Sequence, residues 1–348
     1  MNGYSVRIEV VSGRLLILAA LFVLAVGGTR TVYKNRSQAI ALSPLPLDSS
    51  DPARRKVGSL SFLGAWELKS DNGNFGGISA LIALNDGRFI GVSDAGTLIG
   101  FGLQGAQNAD RPFIAALPGA FAPGLGYADR DTEGMAYDPV TGKIWISYEV
   151  KHAIKRFPPS MARIDGSLKI LGTKDWGRNA GIEALARLPD GRFVAIAEGG
   201  GEGGVYPAML YSGDPVEPGT VPFDFRYRPP DGYRATDATP LPDGRLLVLH
   251  RRIGLPNGFT AKLGIVDPKT IARGSIAASD IIATLAPPLL VDNMEGVTTT
   301  QERGRTIVWL ISDNNFNAIQ RTVLIKFALD GADTKKPEAV SAPGFDSL

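Results

Sequence analysis

The stretch at residues 181–198 (GIEALARLPDGRFVAIAE) decides the fold of this 348-residue chain. An apolar segment that begins Gly-Ile-Glu is followed by a Pro-Asp-Gly-Arg turn and by a second apolar segment that ends at Glu198. Short apolar segments on both sides of an Asp-Gly turn are typical of a β-hairpin, because glycine adopts the positive φ that a tight turn needs. The stretch therefore predicts two paired strands with an acidic side chain at each free end.

The same pattern occurs five times along the chain. Its leading polar residues are Ser79, Glu133, Glu183, Asp237 and Glu295, which gives spacings of 54, 50, 54 and 58 residues. A strand-rich repeat of about 50 residues indicates a β-propeller. We expect an all-β fold of five four-stranded blades, with six blades as the alternative. The isolated strand-like segment at residues 59–68 would complete the last blade and close the ring, which leaves no open sheet edge.

The N-terminal segment has the composition of an export signal. Arg7 and Arg14 precede an apolar run at residues 15–26, and these 12 residues are fewer than the ~20 that a spanning helix needs. We predict a signal peptide or an uncleaved anchor at residues 1–28, a linker at 29–58, the propeller at 59–330 and a tail at 331–348. The protein is expected in the periplasm or secreted, or anchored and facing the periplasm, with this segment as its sole membrane contact.

Composition excludes several functional classes. The chain has 37 basic and 35 acidic residues, but residues 1–41 hold five of the basic ones and one acidic one, so the remainder has 32 against 34. No basic surface for nucleic acid is expected from this balance. The chain has no cysteine and two histidines, which excludes disulfides, a cysteine nucleophile and a histidine-rich metal site. We expect a monomer that acts on a small, anionic molecule.

The polar residues of the repeats predict a site at one end of the propeller. Both free ends of a hairpin lie opposite its turn, so the leading and closing polar residues of each copy should meet around the channel. Carboxylates crowded in this way need a cation, and oxygen ligands favour Ca²⁺ over Mg²⁺ or a transition metal. The predicted metal ligands are Glu133, Glu183, Asp237 and Glu295. The alternative is a structural role, in which these acids bind backbone N–H groups of the next blade.

The chain also resembles a known family through several short motifs in order. They are residues 76–81 (GGISAL), 131–134 (DTEG), 181–184 (GIEA), 293–296 (NMEG) and 312–316 (SDNNF). This set is similar to the bacterial phytase-like family, described as "esterase-like activity of phytase", over roughly residues 60–330. The resemblance implies an exported β-propeller and, by analogy with calcium-dependent propeller phytases, hydrolysis of phosphate or other esters.

Three functions follow from these residues as hypotheses. The first is a Ca²⁺-dependent ester hydrolase, with Asp94, Glu149 or Asp313 as the base that activates water and Arg251 as the clamp for an anionic substrate. The second is a propeller of the cell envelope that binds a ligand or a protein without catalysis. The third is a lactonase-type sugar hydrolase, which would use a similar acid-lined channel.

Overall fold

The computed structural model describes residues 36–103, 107–171, 173, 176, 180–199, 201 and 203–331. The predicted signal peptide or anchor at residues 1–28 lies outside the described residues, and so does the predicted tail apart from Gly331. Short 3-10 helices at Tyr127–Asp129 and Pro268–Thr270 interrupt a chain built from strands. No helix within the described part of the chain has the length and apolar character needed to cross a bilayer.

The strands form five sheets. Three strands precede the first blade: β1 (Ala41–Pro44), β2 (Lys56–Val57) and β3 (Leu60–Lys69). Blade 1 comprises β4 (Ile78–Ala83), β5 (Phe89–Ser93), β6 (Thr97–Gly102) and β7 (Asp110–Ala116). Blade 2 comprises β8 (Thr132–Tyr137), β9 (Ile144–Tyr148), β10 (Ala153–Phe157) and β11 (Gly166–Lys169).

The remaining blades repeat this up-and-down order. Blade 3 comprises β12 (Ile182–Arg187), β13 (Phe193–Ala197), β14 (Tyr206–Tyr211) and β15 (Pro222–Arg228), to which β19 (Ile276–Ala278) adds in parallel. Blade 4 comprises β16 (Arg234–Pro240), β17 (Leu246–Gly254), β18 (Gly258–Val266) and β20 (Asp280–Leu285). Blade 5 comprises β21 (Met294–Glu302), β22 (Arg305–Ser312), β23 (Thr322–Leu329) and β3.

The five blades form a closed ring, which confirms the five-bladed propeller and excludes the six-bladed alternative. The innermost strands β4, β8, β12, β16 and β21 contact one another in sequence, and β21 returns to β4. The buried apolar side chains of the described residues form five clusters, one between each pair of neighbouring blades. Packing between blades therefore fixes the axis around which the polar residues gather.

The closing strand is the one that the sequence predicts. β3 pairs antiparallel with β23, from Leu60 opposite Leu329 to Leu68 opposite Thr322. The segment predicted as a linker adds a further strand, since β1 pairs with β3 and buries Leu42. The Gln38 amide also bonds the backbone N–H and C=O of Ile114 in blade 1. Residues 38–44 thus join blade 5 to blade 1 on the outside of the ring.

The Asp-Gly-Arg sequences are turns, as their spacing predicts. Gly87, Gly191 and Gly244 have φ values of 78°, 90° and 86°, a region that side chains disfavour. In each turn the preceding aspartate accepts hydrogen bonds from the backbone N–H and the Nε of the following arginine. These aspartates lie at the opposite end of the hairpins from the leading acids, so they take no part in the site.

Candidate functional site

A β-bulge interrupts the innermost strand of every blade, and in four blades it contains the leading polar residue. The pairing register skips one residue between Ile182 and Ala184, so Glu183 is the extra residue of blade 3. The same shift occurs around Ser79 in blade 1, Glu133 in blade 2 and Glu295 in blade 5. A bulge bends the strand and redirects the extra side chain. The repeated acids therefore enter the channel together at one end, which we call the mouth.

Blade 4 differs from the prediction. Its register shift lies between Ala235 and Asp237, so Thr236 takes the position of the leading acids and Asp237 lies one residue further along. The Asp237 carboxylate is buried and accepts hydrogen bonds from the backbone N–H groups of Ala238 (2.8 Å) and Val297 (2.7 Å). This is the structural alternative considered for the ring acids, realised in one blade. The other predicted metal ligands do occupy the bulge.

The second strands bring their closing residues to the same mouth. Asp94, Glu149, Glu198, Arg251 and Asp313 each follow the residue that pairs with the start of the bulge. The four acids among them, together with three bulge acids and Asp131, form a set that we call the mouth carboxylates. Its members are Asp94, Asp131, Glu133, Glu149, Glu183, Glu198, Glu295 and Asp313. Glycines beside the acids allow this crowding: a Cβ on Gly134 would lie 2.3 Å from the carbonyl oxygen of Glu183.

Two carboxylate triads share one residue. Oxygens of Asp131, Glu133 and Glu149 all lie within 4.8 Å of one another, and the same holds for Glu149, Glu183 and Glu198. Glu149 is therefore common to both groups. The predicted ligands Glu133 and Glu183 lie in these triads, while Asp237 and Glu295 do not. Asp131 was not among the predicted site residues, although the acid-rich stretch at residues 127–133 places two acids, Asp129 and Asp131, directly before the leading Glu133.

Burial and mutual repulsion raise the pKa values of several of these acids. Burial, followed by the charges of Asp313 and Asp131, raises the pKa of Asp94 to about 8. Burial and the charge of Asp131 raise the pKa of Glu149 to about 8. Burial raises the pKa of Glu133 and of Glu183 well above the ordinary glutamate value, helped by the charge of Glu183 in the first case and of Glu198 in the second. Crowded, desolvated carboxyls of this kind mark functional sites more often than structural ones.

Arg251 divides the mouth into two parts. Its guanidinium donates hydrogen bonds to the Asn293 amide oxygen (2.8 Å) and to Glu198 (3.0 Å), and it lies 3.3 Å from Glu295. Burial raises the pKa of Glu295 to about 7, and the nearby Arg251 charge opposes that rise. Of the triad acids, Glu198 is paired with Arg251 and Arg234, whereas the ion pairs of the described residues include no partner for the other four, Asp131, Glu133, Glu149 and Glu183. Positive charge from outside the chain is therefore favoured on the Glu149 side.

Asp131 provides independent evidence that the carboxylates on the Glu149 side need a partner from outside the chain. Its side chain is 2% exposed, and its Oδ1 has no hydrogen-bond partner among the described residues. A buried carboxylate oxygen left without a partner costs about 1–3 kcal/mol. This cost is removed when a cation or a donor from outside the chain reaches that oxygen.

Asp94 and Asp313 form a separate pair on the blade 1 and blade 5 side of the mouth. Burial, followed by the charge of Glu295, raises the pKa of Asp313 to about 7. Asp313 accepts a hydrogen bond from the Asn315 N–H (2.6 Å), and Asp94 lies 3.3 Å from the Ser93 hydroxyl that donates to it. Neither aspartate lies in a triad. Both have pKa values that permit proton exchange near neutral pH.

Comparison with solved structures gives matches of low sequence identity. The major allergen Mala s 1 of Malassezia sympodialis superposes with a TM-score of 0.45 at 13% identity, over 87% of this chain and 99% of that one. A Swd1 propeller domain of Myceliophteria thermophila gives 0.38 at 10% identity, over 82% and 98%. Hydrazine synthase of Kuenenia stuttgartiensis gives 0.37 at 10% identity over 72% of this chain, which spans 59% of that one. These similarities say nothing about activity.

Comparison with protein families is more specific. No curated protein matches the chain. A family model named phytase-like, described as "esterase-like activity of phytase", matches residues 73–316, which include the innermost strand of every blade and all eight mouth carboxylates. With this match and the closed five-bladed ring, the chain belongs to the phytase-like family of β-propellers.

Proposed function

We propose that this protein is an exported, Ca²⁺-dependent hydrolase of phosphate or other esters. The observation that carries the proposal is the pair of buried carboxylate triads joined at Glu149, with the Oδ1 of Asp131 left without a partner. Export rests on the sequence of residues 1–28. A small anionic substrate and action as a monomer are parts of the same proposal.

The donor set fits a hard cation. The triads offer only carboxylate oxygens, and the chain contains no cysteine. Sites of this composition favour Ca²⁺ or Mg²⁺, and a site with several carboxylates and little rigid geometry favours Ca²⁺. Asp131, Glu133, Glu149 and Glu183 would hold the ion. Its charge would also lower the raised pKa values of these acids, because each ligand binds in its ionised form.

Bound Ca²⁺ would supply positive charge against the oxygens of the ester. Asp94 and Asp313 then have the positions and pKa values suited to proton transfer. One ionised aspartate takes a proton from water, and the water oxygen forms a bond to phosphorus or to the acyl carbon. The bond to the ester oxygen breaks, and the departing alcohol takes a proton from the other, protonated aspartate. Glu149, predicted as a base, is better placed as a ligand since both triads use it.

Arg251 serves this chemistry by holding two acids in place. Its contacts with Glu198, Glu295 and Asn293 occupy both terminal nitrogens. The predicted role of Arg251 as an anion clamp would require one of these contacts to open when substrate binds. We therefore propose that Arg251 first positions Glu198 and Glu295 and then contributes charge to anion binding.

Hydrolysis assays on the full chain test the proposal. We expect turnover of 4-nitrophenyl phosphate or 4-nitrophenyl acetate that EDTA abolishes and Ca²⁺ restores. Glu183→Gln should lower kcat/KM by at least 100-fold. Glu302→Gln is the matched control, because Glu302 pairs with Lys326 at the opposite end of the propeller, and it should leave kcat/KM unchanged.

Three other outcomes separate the rival functions. Ca²⁺-dependent thermal stabilisation without turnover of any ester would leave a binding propeller. Turnover of a lactone panel with no activity on phosphate or acyl esters would indicate a lactonase-type enzyme. Turnover that survives EDTA would contradict the Ca²⁺ dependence proposed above.

A further inference from the structure

Asp94 lies beside an aromatic ring that reaches it from blade 5. A Cβ built on Gly77 would lie 2.3 Å from the Asp94 Oδ1 and 2.5 Å from the Phe316 Cε2. The carboxylate and the ring edge therefore converge on the same glycine, which any larger residue would displace. Phe316 is partly exposed at this point, so its ring forms part of the wall of the mouth.

The backbone that presents Phe316 is strained. Asn315 and Phe316 have φ values of 47° and 49°, a left-handed conformation that residues with a side chain rarely adopt. The conformation is held by hydrogen bonds: the Asn314 Oδ1 accepts from the N–H groups of Phe316 and Gly77 at 3.1 Å each. Backbone strain that surrounding contacts maintain is common at functional sites. The strain next to Asp94 therefore indicates that the position of the Phe316 ring matters for function.

A second aromatic side chain approaches Asp94 from the loop between blades 1 and 2. Tyr127 lies in this loop and is 53% exposed. Tyr127 is fixed by its hydroxyl, which bonds Asp131, and burial followed by the charge of Asp94 raises the pKa of Tyr127. Asp94 is thus approached by aromatic side chains from two separate loops.

The charge of the mouth restricts what can enter. Eight carboxyls surround the channel, and in the described residues the cations that pair with them are Arg251 and Arg234. Bound Ca²⁺ would attract one phosphate or carboxylate group of a substrate to the Glu149 side. A second anionic group on the same substrate would face the remaining carboxylates, at distances over which like charges repel.

We propose that the substrate is an ester that combines one anionic group with an aromatic or similarly flat apolar group, and that Phe316 and Tyr127 bind this apolar group. The inference rests on the proposed function, since it places the anionic group on the cation side and the apolar group beside Asp94. A highly phosphorylated, polar substrate does not fit this mouth. Phe316 is then a specificity-determining residue.

Calorimetric titration of the full chain in Ca²⁺ with three matched probes tests the proposal. Phenyl phosphate should bind at least tenfold more tightly than methyl phosphate, because only the former carries a ring. 1,4-Phenylene bisphosphate keeps the ring and adds a second phosphate, so it should bind at least tenfold more weakly than phenyl phosphate. Equal affinity for phenyl and methyl phosphate, or tighter binding of the bisphosphate, would overturn the inference while leaving Ca²⁺-dependent hydrolysis intact.

Two variants distinguish recognition from folding. Phe316→Gly relieves the left-handed strain and removes the ring, so we expect a melting temperature within a few degrees of the unchanged protein and loss of the preference for phenyl phosphate. Asn315→Gly relieves similar strain and keeps the ring, so the preference should remain. A preference retained in Phe316→Gly would overturn the inference. Failure of either monophosphate to bind in Ca²⁺ would instead refute the phosphate-ester function on which it rests.

Discussion

At the scale of single residues, the chemistry of the mouth is determined by acids whose pKa values are raised in the absence of a cation. Burial raises the pKa of Asp94 and Glu149 to about 8 and that of Asp313 and Glu295 to about 7. In the unfolded chain such groups titrate near 4. Between pH 4 and 8 the folded protein therefore binds more protons than the unfolded chain, and its free energy of unfolding must fall as the pH rises through this window.

Thermal unfolding should show this loss of stability with rising pH. In EDTA, we expect the melting temperature to fall from pH 6.5 to pH 8.5, and saturating Ca²⁺ should raise it more at pH 8.5 than at pH 6.5. Burial lowers the pKa of His250 to about 4, so only the unfolded chain binds a proton at this histidine near pH 6.5, and its small opposing effect on the slope ends by about pH 7.5. A melting temperature that rises with pH in EDTA would contradict the proton assignment.

At the scale of the strand, the position of an acid relative to the β-bulge distinguishes candidate metal ligands from structural acids. Sequence spacing assigns Asp237 to the ring because its distance from Glu183, 54 residues, equals that of Glu133 from Ser79. Spacing cannot show which of two adjacent residues is extra in a bulge, and Thr236 is that residue. Asp131 was not predicted for a related reason: it precedes β8, so no strand periodicity marks it as buried, although it is 2% exposed.

Substitution of Asp237 tests the register. Asp237→Ala would leave two buried N–H groups unpaired, so we expect a loss of about 3 kcal/mol in the free energy of unfolding. Asp237→Asn keeps one acceptor oxygen and should cost about 1 kcal/mol, with Ca²⁺ affinity unchanged. In Glu183→Gln the Ca²⁺ affinity should fall. Calorimetric titration of both variants with Ca²⁺ tests this difference. An equal loss of Ca²⁺ affinity in Asp237→Asn would show that Asp237 is a ligand.

At the scale of the whole molecule, the sequence predicts the five-fold repeat and the closure of the ring. It does not predict the pairing of β1 with β3 on the outside of the ring, which we call the clasp. Five copies of a hairpin pattern and one unpaired strand suffice to predict a closed ring. The strand β1 lies in a segment whose Pro44, Pro46 and Pro52 are typical of a linker. Its pairing with β3 depends on an edge that exists only after the ring has closed. No local pattern in residues 41–44 can encode such a distant partner.

The clasp should contribute measurably to stability. Leu42 is 4% exposed and packs in the cluster between blades 5 and 1. We expect Leu42→Ala to lower the free energy of unfolding by about 2–4 kcal/mol, as for other buried leucines. Ser43→Ala, on the exposed side of the same strand, should change it by less than about 0.5 kcal/mol. Urea denaturation of the two variants checks the contrast, and similar values for both would mean that the clasp is dispensable.

Closure of the last blade by β3 has a consequence for biosynthesis. Blade 5 needs strands from both ends of the chain, because β3 ends at Lys69 and β23 ends at Leu329. Glu295 and Asp313 belong to that blade, so the complete set of mouth carboxylates cannot assemble until both β3 and β23 have been synthesised. The mouth therefore reaches its full set of carboxylates in a late step of folding, after the strands of blades 1 to 4 have been made.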